Sequence, residues 1–502
     1  MPTAARYPDP TTRLLITLSA MAAAVMNQVD TTIANVALPH MQGSTSASRE
    51  QITWVLTSYI VAAAIFTPLT GWLAGEFGRK PLPLYSIVGF TLASGLCGIA
   101  TNLFELVAFR ILQGVFGSAL VPMTQATLLD INPPEQHGKS MAIFGLAAIV
   151  GPLAGPLLGG YLTEVLSWHW VFYINLPLGV LSFIGLSAFM PEAHNEEQAD
   201  FDLFGFGLLA VGLGAFQLML DRGQMLDWFD SWEICIEATL AAAAAYMFLV
   251  HMMTARHPFV SLALFKDGNF VISTLIGFFL GVLIYSVLSL LPPMLSELFG
   301  HPTMAIGIAM APRGIGTLIA MLVVGRIINK VDLRILISAG MLFSAASGWM
   351  MAQMNLQADD SLVIFSGVLQ GIGASLVFVP LSTMSFATLA PHLRNEGAAL
   401  GTLVRNLGGA VGIAVIQAMT VRNTATVESR LVEGARPDNP VVSLAMPGFD
   451  FGSLQSLERV DYEIMRQALM VAYVDAFWAM FVVGVVVAPL VFLLRRPRRG
   501  AG

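Results

Sequence analysis

The sequence predicts an all-α polytopic membrane protein of about fourteen transmembrane helices, and three observations carry that prediction. Only 11% of its 502 residues are charged while 56% are apolar, against roughly 25% charged in an ordinary soluble domain. The apolar residues gather in runs of about 20, the length a helix needs to cross a bilayer. Lys and Arg are sorted between alternate loops, as membrane topology demands. The same arithmetic excludes a solvated globular enzyme and a disordered chain. A net charge of −7 offers nothing to a phosphate backbone, which excludes a nucleic-acid partner. Cys97 and Cys235 both lie in apolar runs, so neither a disulfide framework nor a metal site is indicated.

Taken in order, residues 1–13 are polar, and the first apolar run, 14–38, is too long for a signal-peptide core; it is read as a retained first span. Polar or Pro/Gly residues then bound spans 2 to 6 at 51–73, 82–100, 103–128, 139–163 and 170–190. Spans 7 and 8 follow at 203–220 and 232–254. Spans 9 to 14 fall at 269–295, 303–325, 333–354, 361–389, 396–420 and 471–494. An even number of crossings puts both termini on one side. Fifteen of the 25 Lys and Arg lie in loops on that side, and only Arg49 and Arg222 in the short loops opposite. Basic loops face the cytoplasm, so both termini are expected there.

The chain repeats itself. Leu112-Gln113-Gly114 in span 4 recurs as Leu369-Gln370-Gly371 in span 12, and Gly151 and Gly155 in span 5 recur as Gly408 and Gly412 in span 13, all at an offset of 257. Loop 2–3, from Gly71 to Arg79, has a counterpart from Gly325 to Arg334. A duplication accounts for this: spans 1–6 correspond to 9–14, and 7–8 are an insert. The expected units are residues 1–200, a six-helix bundle; 201–260, a two-helix insert; and 261–502, a second six-helix bundle. Parallel halves around a central site are a transporter architecture.

Several segments then resemble one family. Loop 2–3, Gly71-Trp-Leu-Ala-Gly-Glu76-Phe-Gly78-Arg79-Lys80, is similar to the signature loop of the major facilitator superfamily, with Gly75 where that loop usually has an acidic residue. Arg110-Ile-Leu-Gln113-Gly114 resembles its proton-coupling arginine motif, and Gly151-Pro152-Leu-Ala-Gly155-Pro156-Leu-Leu-Gly159-Gly160 its antiporter motif. Val29 to Pro39, Trp168 to Gly179 and Leu218 to Gly223 resemble the 14-span drug:proton antiporters of the EmrB/QacA type. The resemblance implies a major facilitator fold with two inserted central helices. It implies a cytoplasmic gate at Gly71, Glu76, Gly78, Arg79 and Lys80, and location in a bacterial inner membrane. It also implies a periplasmic adaptor and an outer-membrane channel as partners.

The residues carry their own chemistry. Gly151, Gly155 and Gly159 recur every fourth position, a face without side chains that lets a second helix approach closely. Pro152 and Pro156 remove helix hydrogen bonds and favour a kink. Asp30 is a carboxylate inside a span, which costs a few kcal/mol unless it has a partner or a role; neutralisation by a proton is one such role. Arg110 lies at a similar depth, at ~1.5 Å per residue from the outer ends of their spans, and is the natural partner. Asn27, Asn35, Gln113, Arg313 and Arg405 are the candidates to line a central cavity, and buried arginines would favour acidic amphiphiles. Residues 421–470 face outward with five arginines and Pro437, Pro440 and Pro447, and are either a docking surface or a connector.

No P-loop is present, so ATP is not the expected energy source, and neither metal-ligand spacing nor a Gly-x-Ser-x-Gly elbow points to catalysis. The expectation is a proton-driven exporter of hydrophobic or amphiphilic small molecules, using the proton gradient and no cofactor. The alternatives are an exporter of one metabolite such as a fatty or aromatic acid, and a membrane-embedded enzyme or sensor.

Overall fold

The computed structural model describes residues 7–47, 51–192, 201–256, 258–328, 330–390, 393–436 and 453–495. Among them, twelve helices are long and apolar enough to cross a membrane, and the pair Gln51–Phe66 and Leu69–Phe77, bent by 60°, adds a thirteenth. A further 29-residue helix, His137–Val165, occupies the predicted fifth span. Several of its side chains, including those of Pro152 and Pro156, lie outside the described residues. Every predicted span coincides with helix, and the span numbers are kept below.

Local chemistry sets many of the ends. Asp9, Asn102, Asp202 and Asp332 each accept a backbone N–H of the first turn of spans 1, 4, 7 and 11, the ordinary N-cap role of short polar side chains. Proline sets the breaks. Pro68 sits at the joint of span 2, between Phe66 and Leu69, where a residue without an N–H and with a bulky ring interrupts the ladder. Span 4 divides into Leu103–Gly117 and Leu120–Asp130, with Pro122 in the first turn of the second piece.

One expectation is corrected. Most of 421–470 is not loop: the span 13 helix runs from Arg394 to Gly434 and the span 14 helix from Leu454 to Val487. At ~1.5 Å per residue the first is about 60 Å long, twice the ~30 Å of a hydrocarbon core. The two helices pack together and form a stalk; Pro440 and Pro447 lie outside the described residues, as does Pro437. Periodicity was masked there because Arg422, Glu428, Arg430, Glu458 and Arg459 make a helix too polar to read as a span.

The duplication is visible in the packing. Span 5 lies against span 1 and span 13 against span 9. A Cβ on Gly151 or Gly155 would collide with Gln28 or Thr32 of span 1, and one on Gly408 or Gly412 with Phe278 or Val282 of span 9. Gly114 sits against the Tyr59 carbonyl of span 2 as Gly371 sits against the Arg313 carbonyl of span 10. Spans 7 and 8 pack on each other, with span 7 against span 2.

The apolar cores show how the halves meet. One, with Val29, Ile33, Leu106 and Phe172, belongs to spans 1–6; another, with Leu280, Met294, Met351 and Phe477, to spans 9–14. The third draws on both halves, joining Leu128 and Phe144 to Met321, Ile328 and Phe386. The members that join the halves lie toward the end of the bundle where span 1 begins and span 14 ends, the terminal end. There Phe144 stacks on Phe378 with centroids 6.0 Å apart, and Gly71 packs on the backbone of Glu396. Toward the opposite, distal end the halves keep separate cores and touch through span 5 and Thr303–Met310 of span 10. The halves are sealed at the terminal end.

Candidate functional site: a buried charge network in the first half

Four spans bring five polar side chains to one buried point. Asp30 and Arg110 are 0% and 1% exposed, and Gln113, Ser94 and Asn175 are buried with them. Arg110 Nη1 donates to Asp30 Oδ2 at 2.6 Å. The other carboxylate oxygen, Oδ1, accepts from Gln113 Nε2 at 2.7 Å and from Asn175 Nδ2 at 2.8 Å. The arginine is held from other directions too: Nε donates to the Val55 carbonyl at 3.0 Å, Nη1 donates to Gln113 Oε1 at 2.6 Å, and Cζ lies 4.2 Å from the Tyr59 ring centroid. Ser94 Oγ accepts from Gln113 and Asn175 and donates to the Phe172 carbonyl.

Removing a charge pair from water costs several kcal/mol per ion, recovered only when geometry is good and the remaining lone pairs and protons are bonded. Here both carboxylate oxygens have donors. Arg110 has further acceptors besides Asp30, so neutralising the carboxylate would leave the guanidinium with Val55, Gln113 and Tyr59.

The other predicted residues are distributed around this centre. Gly151, Gly155 and Gly159 are buried against span 1, and Thr32 Oγ1 donates to the Gly151 carbonyl at 3.1 Å; Gly160 is half-buried. They fix the helix that carries Asp30. In loop 2–3, Gly78 has φ +96°, a conformation open to glycine and strained for other residues. Arg79 pairs with Asp130, at the end of span 4, at 2.5 Å. Gly75 is exposed with open space around it, so the acidic partner of this loop's arginine comes from span 4. Glu76 and Lys80 are half-buried.

The cavity candidates divide. Gln113 belongs to the charge network rather than to a cavity wall. Asn27 is also buried away from a cavity, donating to Tyr59 Oη at 2.9 Å and the Gly117 carbonyl at 3.1 Å. Asn35 is exposed. Arg313 Nη1 is buried without a hydrogen-bond partner among the described residues. Of the five, Arg405 lines a cavity, between spans 4, 9, 12 and 13. Sequence reading missed Ser94, Tyr59 and Asn175. Asn175, a lone amide in the apolar stretch after Trp170, was findable as an in-span polar residue; Ser94 and Tyr59 resemble any residue of a membrane helix.

Comparison with known proteins agrees with this architecture. Residues 20–413 match the Major Facilitator Superfamily. The chain is 33% identical over 494 residues to the multidrug export protein EmrB of Escherichia coli (strain K12), covering 97% of this chain and 96% of that one. It is 34% identical over 494 residues to the fatty acid resistance protein FarB of Neisseria gonorrhoeae, covering 97% of each. Among solved structures, the proton:xylose symporter XylE superposes with a TM-score of 0.64 at 14% identity, over 97% of this chain and 96% of that one; at that identity the likeness concerns the fold. Duplicated halves, an inserted helix pair and near-complete coverage by these relatives lead to one assignment: the chain belongs to the major facilitator superfamily.

Proposed function

We propose that this protein is a proton-driven exporter of hydrophobic or amphiphilic small molecules, working by alternating access in a bacterial cytoplasmic membrane with both termini inside. The observation that carries the reading is the fully buried Asp30–Arg110 pair, a titratable carboxylate placed within a span and bonded on both oxygens. The relatives named for multidrug export and fatty acid resistance support the direction and the substrate range.

With the termini in the cytoplasm, the sealed end is the cytoplasmic one. A proton arriving at Asp30 Oδ2 from outside removes the negative charge, and Arg110 shifts its hold to Val55, Gln113 and Tyr59. Span 1 is thereby released from span 4, while the glycine face of span 5 keeps spans 1 and 5 together as they move. In this reading residues 1–200 and 261–502 rock about the site, residues 201–260 ride on span 2, and Arg79–Asp130 with Gly71–Glu396 forms the cytoplasmic gate. The stalk formed by spans 13 and 14 exposes Leu431, Val432, Leu454, Tyr462 and Met465, apolar positions suited to receiving a periplasmic adaptor that leads to an outer-membrane channel. The likeness to FarB favours one second reading, a narrow exporter of acids.

The test is transport in proteoliposomes with a mixed panel of acidic, neutral and cationic amphiphiles. Wild type is expected to export part of the panel only when an opposing proton gradient is imposed. Gradient-independent movement, or none of any compound, would overturn the reading.

A further inference from the structure

The cavity at the seam of the two halves is lined by Gln125 of span 4, Ser273 and Thr274 of span 9, Ser385 of span 12, and Thr402 and Arg405 of span 13. Its charge is one-sided: Arg405 is present and no acidic side chain lines it. Arg405 Cζ rests 5.2 Å from the Phe378 ring centroid, and among the described residues its guanidinium makes no hydrogen bond or ion pair. Three hydroxyls of the same wall, on Ser273, Thr274 and Thr402, are buried with no hydrogen-bond partner among the described residues; Ser273 and Thr402 are only 3% and 4% exposed. This contrasts with Arg110, which the same protein surrounds with a carboxylate, an amide, a carbonyl and a ring.

Buried polar groups in native structures are satisfied, and exceptions call for a reason. An unpaired guanidinium beside three idle hydroxyls has the donor set for one anionic oxygen group: a planar fork that matches a carboxylate, and O–H groups free to turn toward it. The rest of the wall, with Leu280, Phe378, Leu381 and Phe386, is apolar. We propose that this cavity is a substrate subsite for amphiphiles with a single carboxylate, Arg405 pairing with the head, Thr402 and Thr274 donating to it, and the apolar wall taking the chain. The inference deepens the exporter reading and rests on it. Because Phe378 stacks on Phe144 of the opposite half, a ligand here touches the seam that must open.

Full-length protein in phosphatidylcholine nanodiscs, at a pH where carboxylates are ionised, is tested for binding of decanoate, decanol and decyltrimethylammonium. Wild type is expected to bind decanoate at least tenfold more tightly than the other two. Arg405→Gln should weaken decanoate at least tenfold and leave decanol within twofold, and Arg405→Lys should keep part of the preference. Equal binding of decanoate and decanol by wild type, or equal weakening of both by Arg405→Gln, overturns the subsite. If Arg405→Gln does not fold, Thr402→Val and Thr274→Val carry the test: an unchanged decanoate preference in both overturns it. Replacing part of the lipid by phosphatidylglycerol should leave decanoate binding unchanged, whereas displacement would assign the site to lipid headgroups and defeat the proposal. Proton-driven export is measured on the same preparations. Selective binding without any export overturns the exporter reading alone; export without selectivity overturns the subsite alone.

Discussion

At the scale of the residue, the protein depends on where it allows charge to be buried. Asp30 and Arg110 satisfy each other, and truncating one partner of such a pair typically costs about 3–5 kcal/mol because the other charge is left stranded. Asp30→Asn keeps the shape and both amide contacts but cannot titrate. It is expected to abolish gradient-driven export while substrate binding persists; proton-coupled export at the wild-type rate would remove Asp30 from the mechanism. Arg110→Lys retains the charge but cannot reach Asp30, Gln113 and the Val55 carbonyl at once, since an ammonium is a point charge and not a fork. Export should fall at least tenfold, measured as initial rates in vesicles. Asp30 and Arg110 were legible as a pair because charged residues inside apolar runs stand out. Their neighbours were not, since Ser94 and Asn175 acquire meaning only when spans 3 and 6 converge on span 1.

Helices set the next scale, and here close approach decides. Gly155 faces Thr32 with no room for a Cβ, whereas Gly75 faces open space. Gly155→Leu should therefore destabilise by at least the ~1–3 kcal/mol of ordinary overpacking, while Gly75→Ala should stay within about 0.5 kcal/mol. Thermal unfolding in detergent compares them, and equal midpoints would remove the span 1–span 5 contact as the cause. Asp202, outside the membrane spans, caps span 7 and also accepts from His251 and from the Phe259 N–H. Burial pushes its carboxyl up, but the Gly205, His251 and Phe259 donors outweigh that and hold it below the usual range. A group with a lowered folded value contributes stability that is full above its unfolded value, near ~3.9, and is lost as pH falls through the folded value. Asp202→Asn keeps a capping oxygen but loses the charge and one acceptor, and is expected to cost ~1 kcal/mol at neutral pH, with the gap to wild type narrowing below about pH 4. A gap independent of pH would mean the carboxylate charge is not involved. The glycine face of span 5 was legible from its four-residue spacing; the proline breaks of spans 2 and 4 were not, because an apolar run reads the same whether straight or bent.

For the whole molecule, the decisive feature is one core shared by both halves at the terminal end and separate cores beyond it. A Cβ on Gly71 would lie 3.3 Å from that of Glu396, close to the spacing of a disulfide. With Cys97 and Cys235 replaced by serine, Gly71→Cys combined with Glu396→Cys should cross-link under mild oxidation and stop transport, and reduction should restore it. Undiminished transport by fully cross-linked protein would show that this end does not open. The extensions of the span 13 and span 14 helices beyond a single crossing belong to this scale too.

What the sequence by itself determined is what membrane physics writes into composition: the crossings, the sorting of Lys and Arg, the internal duplication, and which charges lie where charge is costly. Those signals are local, each carried by one run or one spacing. Only the tertiary structure decided which in-span arginine has hydrogen-bond partners among the described residues and which has none. Arg110 and Arg405 look alike in sequence, each a lone cation in an apolar span. One meets a carboxylate eighty residues away in the chain, and the other meets an aromatic ring and unpartnered hydroxyls. Partnership between spans depends on how helices rotate and cross, and no periodicity within a single helix encodes it.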